Sequence, residues 1–356
     1  MTMQNQIISH LAQMIDPTVG LSLTDIGLKP NVVLQDKRCT IELTAGFPIQ
    51  LLTKDLQLFI HNSLKTQFPS VQFEVILNQF IKAHRTQLVG KGLRGVKNTI
   101  AIASGKGGVG KSTVTVNLAV ALSRAGARVG ILDADIYGPS IPMMLGSYKP
   151  VTVHDERYLP ATAHGIQAMS IAYLTDAEEA LIWRGPMLAK SLLQLLDITL
   201  WDELDYLFID LPPGTGDIQL SLVQKIPLTT AIVVTTPQNI ATLDAQKAIK
   251  MFARTGVDVL GLVENMATHT CSNCGHHEAI FGEGGAKRLC EQFQIPLLGQ
   301  LPLNSHVRQQ ADEGNPIVNF YNDEVSAPWI ATTMKTALLL GQKPINYADK
   351  FPLQGT

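Results

Sequence analysis

Little in this chain points toward a membrane, a nucleic acid or an oxidising compartment. Cysteine is scarce: Cys39, Cys271, Cys274 and Cys290 are the whole complement in 356 residues. That is too few for a disulfide framework at this length, so a close pair among them is expected to bind metal or do redox work. Neither sign of charge dominates, with 28 Lys and Arg against 30 Asp and Glu and a net charge of −2. Bulk attraction to nucleic acid or to an anionic membrane surface is therefore not expected. No apolar run approaches the ~20 residues needed to cross a bilayer. The opening MTMQNQIISHLAQMID lacks the basic n-region and cleavage site of a signal peptide, so a cytoplasmic protein is expected. Internal repeats and low-complexity tracts are absent as well.

What is present suits a buried core. Apolar residues make up 46% of the chain, and a prior of roughly 100–200 residues per domain predicts two domains. Residues 1–91 mix short patterns: helix-like IISHLAQMID, strand-like NVVLQ and CTIELTA, helix-like TKDLQLFIHNSLKTQF and strand-like VQFEVIL. This reads as a small α+β domain. The stretch 82–97, KAHRTQLVGKGLRGVK, carries basic residues and glycines without periodicity, and its end, 92–97, is taken as a solvated linker. From 98 to 356 the apolar runs TIAIA, ARVGILD, GIQAMSI, YLFIDL, TAIVVTT, DVLGLVEN and PLLGQL alternate with helical or loop stretches. Near-continuous apolar strands joined by helical crossovers predict an α/β fold, a mostly parallel sheet covered by helices on both faces. Ligands of such sheets sit at the C-terminal ends of the strands.

At one of those ends lies SGKGGVGKST, Ser104 to Thr113. Gly105, four residues, Gly110, Lys111 and Ser112 form a complete P-loop between a strand-like run and a helical one that stops at Gly126. A phosphate chain needs many donors converging on one small anion. Gly105, Gly107, Gly108 and Gly110 let successive backbone N–H groups approach it without Cβ clashes. Lys111 is expected against the β- and γ-phosphates and the Ser112 hydroxyl on Mg²⁺, with the positive end of the following helix toward the anion. The chain is expected to bind a nucleoside triphosphate.

Acidic residues close two further strands. ARVGILDADIYGPS ends on Asp133 and continues to Asp135, a carboxylate able to orient an attacking water or to hold Mg²⁺ through its water shell. Asp133, at the strand end itself, reads as a structural partner. YLFIDLPPGTGD ends its strand on Asp210, the Walker B arrangement, in which Mg²⁺ stabilises the charge. In GLVENMATHTCSNCG, Asn265 follows a strand and Cys271 and Cys274 come a few residues later. Two thiols cannot close a zinc or cubane site alone, but a twofold dimer would bring four together. A zinc knuckle recruiting His276 and His277 would pack its ligands into a strained tetrahedron, and a thioredoxin-like dithiol would sit at a helix N-terminus early in its fold. Cys290 reads as a small buried residue on a helix and Cys39 as strand interior.

Lys106 makes the loop KGGVGKS, which resembles the deviant Walker A of the ATPases that include nitrogenase iron protein, MinD and the Mrp/ApbC iron–sulfur carriers. The resemblance covers about 98–319, through IYGPSIPMMLG, WRGPM, DLPPGTGDIQLSL, TTPQNIATLDAQKAI, ENMATHTCSNCG, IFGEGGAKRL and GQLPLNSHVRQQADEG, and it is to the Mrp/ApbC carriers that the chain is most similar. It implies a homodimer sandwiching two ATP molecules, with Lys106 reaching the partner's nucleotide. It also implies nucleotide contacts along Gly105 to Thr113, including Val109 and Thr113, adenine recognition by Asn265 and water positioning by Asp135. DLPPGTGD would be a switch segment that moves when the γ-phosphate leaves. Cys271 and Cys274 would bridge a labile [4Fe-4S] cluster between subunits for transfer to apo iron–sulfur proteins, with cluster scaffold proteins as further partners. The first 91 residues resemble the DUF59 or MIP18-like domain, with Asp16–Pro17 in its first helix region, but Phe47 stands where that domain has a cysteine. MinD-like positioning switches are the rival class. The C-terminal PINYADKFPLQGT shows no basic amphipathic helix of the membrane-anchoring kind.

Overall fold

The computed structural model describes residues 2–15, 22–136, 138–148, 150–174, 185–320 and 324–346. Asp16–Pro17, Tyr137, Trp183, Arg184 and the chain from 347 onward lie outside the described residues. The chain divides into two compact units, one of Met1–Lys82, Arg124–Gly126 and Ala337–Lys343, the other of Ala83–Ser123, Ala127–Thr336 and Pro344–Thr356.

The smaller unit runs α1 (Met3–Gln13), β1 (Lys29–Gln35), β2 (Arg38–Ala45), α2 (Thr53–Gln67) and β3 (Gln72–Gln79). β1 pairs antiparallel with β2, which pairs parallel with β3. The helices bury Ile7 and Leu11 of α1 and Leu56, Ile60 and Leu64 of α2, four apart as one helical stripe requires. Cys39 and Phe47 are buried apolar residues here, so position 47 contributes packing and no thiol.

The larger unit begins with β4 (Val96–Ala103), α3 (Lys111–Arg124), β5 (Val129–Asp133) and α4 (Ile141–Met144). Short strands follow, β6 (Thr152–His154), β7 (Arg157–Leu159) and β8 (Ala161–Ala163), then β9 (Ile166–Ser170) and α5 (Gly185–Ile198). Next come β10 (Leu204–Asp210), α6 (Asp217–Lys225), β11 (Thr230–Thr235), α7 (Asn239–Arg254) and β12 (Val259–Glu264). A hairpin of β13 (His269–Thr270) and β14 (His277–Glu278) precedes α8 (Gly285–Phe293), β15 (Leu297–Gln300), α9 (Ser305–Asp312) and α10 (Ala327–Gly341).

Its main sheet has the order β15-β12-β11-β4-β10-β5-β9-β8, parallel throughout except for β8 on β9. Every residue of β5, β10, β11 and β12 is buried, which is why these strands read as unbroken apolar runs. This is the expected α/β class. The short strands β6, β7 and β8 have three residues each, too few for an alternation to be legible in sequence.

The larger unit starts at Ala83, ahead of the expected linker at 92–97. Within it, Gln87 Nε2 donates to the carbonyls of Val223 (3.0 Å) and Ile226 (2.7 Å), and its Oε1 accepts from Leu228 N (2.6 Å). His84 is buried against the Asn98 side chain at 2.9 Å. A single amide that satisfies three main-chain groups anchors the chain without leaving any periodic signature. Strand β4 accordingly starts at Val96 instead of Thr99.

Candidate functional site

Strand order creates the site. β10 lies between β4 and β5, so the turn leaving β4 and the aspartates ending β10 and β5 emerge side by side, with Asp210 in register with Asp133. The glycine loop fits closely around its neighbours. A Cβ on Gly105 would fall 2.1 Å from the backbone of Asp244, and one on Gly110, whose φ is +84°, would fall 2.2 Å from Asn265 Nδ2. Neither position admits a side chain. Lys106, Gly107 and Gly108 are exposed, Val109 is buried and Thr113, the third residue of α3, is half-buried.

Lys111 opens α3 and turns into the strand ends, where its Nζ lies 2.7 Å from Asp210 Oδ2, 3.3 Å from Ser112 Oγ and 3.6 Å from Asp135 Oδ2. Asp210 is fully buried and saturated: Ser112 Oγ donates to its Oδ2 at 2.6 Å and Thr115 Oγ1 to its Oδ1 at 2.6 Å. Thr115 was not singled out from sequence. The signal was its spacing, since four residues beyond Lys111 place it on the same helical face.

Among the described residues, Lys111 is the cation held among Asp133, Asp135 and Asp210. Burial, then the neighbouring Asp210 charge, pushes the Asp133 carboxyl up to about 8, against the pull of Lys111. Burial also raises Asp135, with Lys111 opposing. The hard oxygens of Ser112 and Asp210, at one end of a glycine cradle, are the donor set that Mg²⁺ takes together with phosphate oxygens and water, so the residues present fit magnesium.

Asn265 is 5% exposed, its N–H donates to Thr235 O (2.8 Å) and its Nδ2 to Val109 O (2.9 Å), so its side chain braces the P-loop. The residue after it, Met266, has a left-handed φ of +57°. Cys271 and Cys274 are apart from this cluster, on the turn of the β13–β14 hairpin. Cys271 N donates to His276 O and Gly275 N to Cys271 O, each at 2.9 Å. Backbone N–H groups of Cys274 and Asn273 point at the Cys271 sulfur and hold its thiol below the usual range. Cys271 is half-buried and Cys274 exposed. His277 Nδ1 is engaged by Thr270 Oγ1 at 2.8 Å. Among the described residues no three His, Cys, Asp or Glu side chains converge as a metal site. Burial, with the Glu264 charge adding to it, pushes the Cys290 thiol up to about 11, and burial raises that of Cys39, which leaves both unreactive.

Fold and loop together define a P-loop NTPase with a deviant Walker A lysine. The chain belongs to the ParA family, NUBPL iron-transfer P-loop NTPase, whose family model matches residues 95–337. It is 47% identical over 340 residues to the iron-sulfur cluster carrier protein of Haemophilus influenzae, covering 94% of this chain and 91% of that one. To the iron-sulfur cluster carrier protein of Deinococcus radiodurans it is 41% identical over 355 residues, 99% of each. Among solved structures, the nucleotide-binding protein of Archaeoglobus fulgidus in complex with ADP shares 41% identity at a TM-score of 0.58, over 66% of this chain and 91% of that one. The cell division ATPase MinD of Pyrococcus furiosus shares 25% at 0.53, over 67% and 97%. No helix among the described residues is long and apolar enough to cross a membrane.

Proposed function

We propose that this chain binds ATP with Mg²⁺, hydrolyses it, and carries a labile [4Fe-4S] cluster between the two copies of a homodimer for delivery to apo iron–sulfur proteins in the cytoplasm. The observation that carries the reading is the hairpin turn: two accessible thiols, one held toward its thiolate by main-chain N–H groups, with no third ligand converging among the described residues. Such a pair asks for its equivalent from a second copy, and four thiolates suit a cubane cluster. The names of the Haemophilus and Deinococcus relatives support the same cargo.

In the nucleotide site, Gly105 to Thr113 would wrap the phosphates and Lys111 would shift from Asp210 toward the β- and γ-oxygens. Ser112 and Asp210 would hold Mg²⁺, which supplies charge neutralisation at the phosphates. Asp135, half-buried beside Lys111, would orient the attacking water. Asn265 would meet the adenine while keeping its hold on Val109. Scaffold proteins that load the cluster are expected partners.

Anaerobic reconstitution tests the reading. The dimer should turn brown, with iron and sulfide each near about four per dimer as a cubane requires, and should hydrolyse ATP. A colourless protein that hydrolyses ATP but takes up no iron would fit a MinD-like positioning switch instead.

Lys106 is exposed and makes no ion pair among the described residues, as a residue that works on a neighbour's nucleotide would. Mixing Lys106→Ala subunits with Lys111→Ala subunits leaves each mixed dimer one dead site and one with its own Lys111 and the incoming Lys106 of the partner subunit. Such dimers should recover about half of wild-type turnover although neither variant is active alone, since one complete site per dimer has its transition-state cations. No recovery, once subunit exchange is verified, would place Lys106 in its own subunit's site.

A further inference from the structure

We propose that Ser170 is a positioning residue for ATP hydrolysis, acting through Asp133 on the turn that carries Asp135. The inference rests on the reading of Asp135 as the residue that orients the water. Three neighbouring strands align the parts: Asp210 on β10 is in register with Asp133 on β5, and Asp133 with Ser170 on β9. Asp133 is 1% exposed and cannot touch a nucleotide through solvent. Its carboxylate instead gathers the loop around it. Oδ1 accepts from the N–H of Asp135 at 3.2 Å, while Oδ2 accepts from Ser170 Oγ at 3.1 Å and from Ile141 N at 3.4 Å.

Ser170 is itself fully buried, and its hydroxyl has its roles divided. The oxygen accepts from Ala172 N at 3.2 Å, so its single hydrogen is directed to Asp133. That donor matters because it is the shorter of the two hydrogen bonds that hold Oδ2, the other coming from Ile141 N. With Ser170 and Ile141 on one oxygen and Asp135 N on the other, the side chain is pinned in the orientation that holds Asp135's backbone. Remove the hydroxyl and Oδ2 keeps only the long bond from Ile141. The carboxyl group is then free to rotate, and Asp135 N loses its acceptor. A displacement of about 1 Å in a group that aligns a nucleophile is enough to cost up to ~100-fold in rate without altering ground-state contacts.

The test compares Ser170→Val with Ser170→Thr, side chains of like shape that differ in the hydroxyl, and combines Ser170→Val with Asp135→Ala in a double-mutant cycle. Steady-state ATPase, ADP affinity and melting temperature are measured for each. Ser170→Val should lower kcat by about 10-fold or more with KM and ADP affinity within about twofold, and Ser170→Thr should restore most of the rate. In the Asp135→Ala background, Ser170→Val should change kcat by less than about twofold, since its effect passes through the residue already removed. Full additivity of the two changes, or wild-type kcat in a folded Ser170→Val, overturns the proposal while leaving the ATPase reading intact. If Ser170→Val does not fold, a Ser170→Thr variant that is folded but as slow as Asp135→Ala overturns it equally. A wild-type chain that binds ATP without hydrolysing it overturns the ATPase reading and this proposal together.

Discussion

Replacing Cys271 and Cys274 together by alanine is expected to abolish cluster binding, from about four iron per dimer to none, while ADP affinity stays within about twofold. The selectivity follows from how the turn is built. Its closing bonds, Cys271 N to His276 O and Gly275 N to Cys271 O, are main-chain and survive the loss of both sulfurs. The cluster of Lys111, Ser112, Asp135 and Asp210 is held by bonds among its own members, so the phosphate cradle has no reason to change. Iron and sulfide analysis after anaerobic reconstitution, with ADP titration on the same sample, reads both halves. Wild-type iron content in the double variant would reject the bridging role. A parallel loss of ADP affinity would mean that the hairpin and the nucleotide site form one unit.

Lys111→Ala is expected to lose ATP binding by about 100-fold or more, because the ammonium that meets the β- and γ-phosphates in the ground state is gone. The nucleotide-free protein should suffer too. Lys111 is 5% exposed and its Nζ is the cation beside Asp210 and Asp135, so its removal leaves buried carboxylates uncompensated. Breaking a buried pair in this way costs about 3–5 kcal/mol. The sign with pH follows from Asp133 and Asp135, both already raised by burial and both lowered by Lys111. Without the lysine their folded pKa values rise further above the unfolded value, and a carboxylate raised on folding loses stability as pH increases. Melting curves should therefore show a larger deficit at alkaline than at mildly acidic pH. A pH-independent deficit would show that Lys111 contributes packing and no charge compensation.

How much of this was legible depended on the distance along the chain over which each feature is encoded. The P-loop was, because ten contiguous residues carry it and its glycines answer a local steric demand at Gly105 and Gly110. The buried strands were, because burial on both faces writes an unbroken apolar run. The anchoring of 83–88 was not, since Gln87 reaches partners more than 130 positions away and a lone glutamine carries no pattern. Asn265 shows the intermediate case. Its place after a strand was visible, while the bond from its amide to Val109 O spans 156 positions and belongs to the folded sheet.

By itself the sequence determined the class of chemistry: a glycine loop with Lys106, Lys111 and Ser112, aspartates closing apolar strands, and a cysteine pair separated by two residues. Each is a short-range pattern whose residue types and spacing are fixed by the ligand they serve. Only the tertiary structure decided which groups act on one another. Insertion of β10 between β4 and β5 sets Asp210 under Lys111, Ser112 and Thr115, and the next strand over sets Ser170 beside Asp133. The physical reason is that a parallel sheet joined by crossovers pairs strands far apart in sequence. The register that brings four polar side chains within hydrogen-bond reach is settled by packing of the whole sheet, which no local pattern encodes.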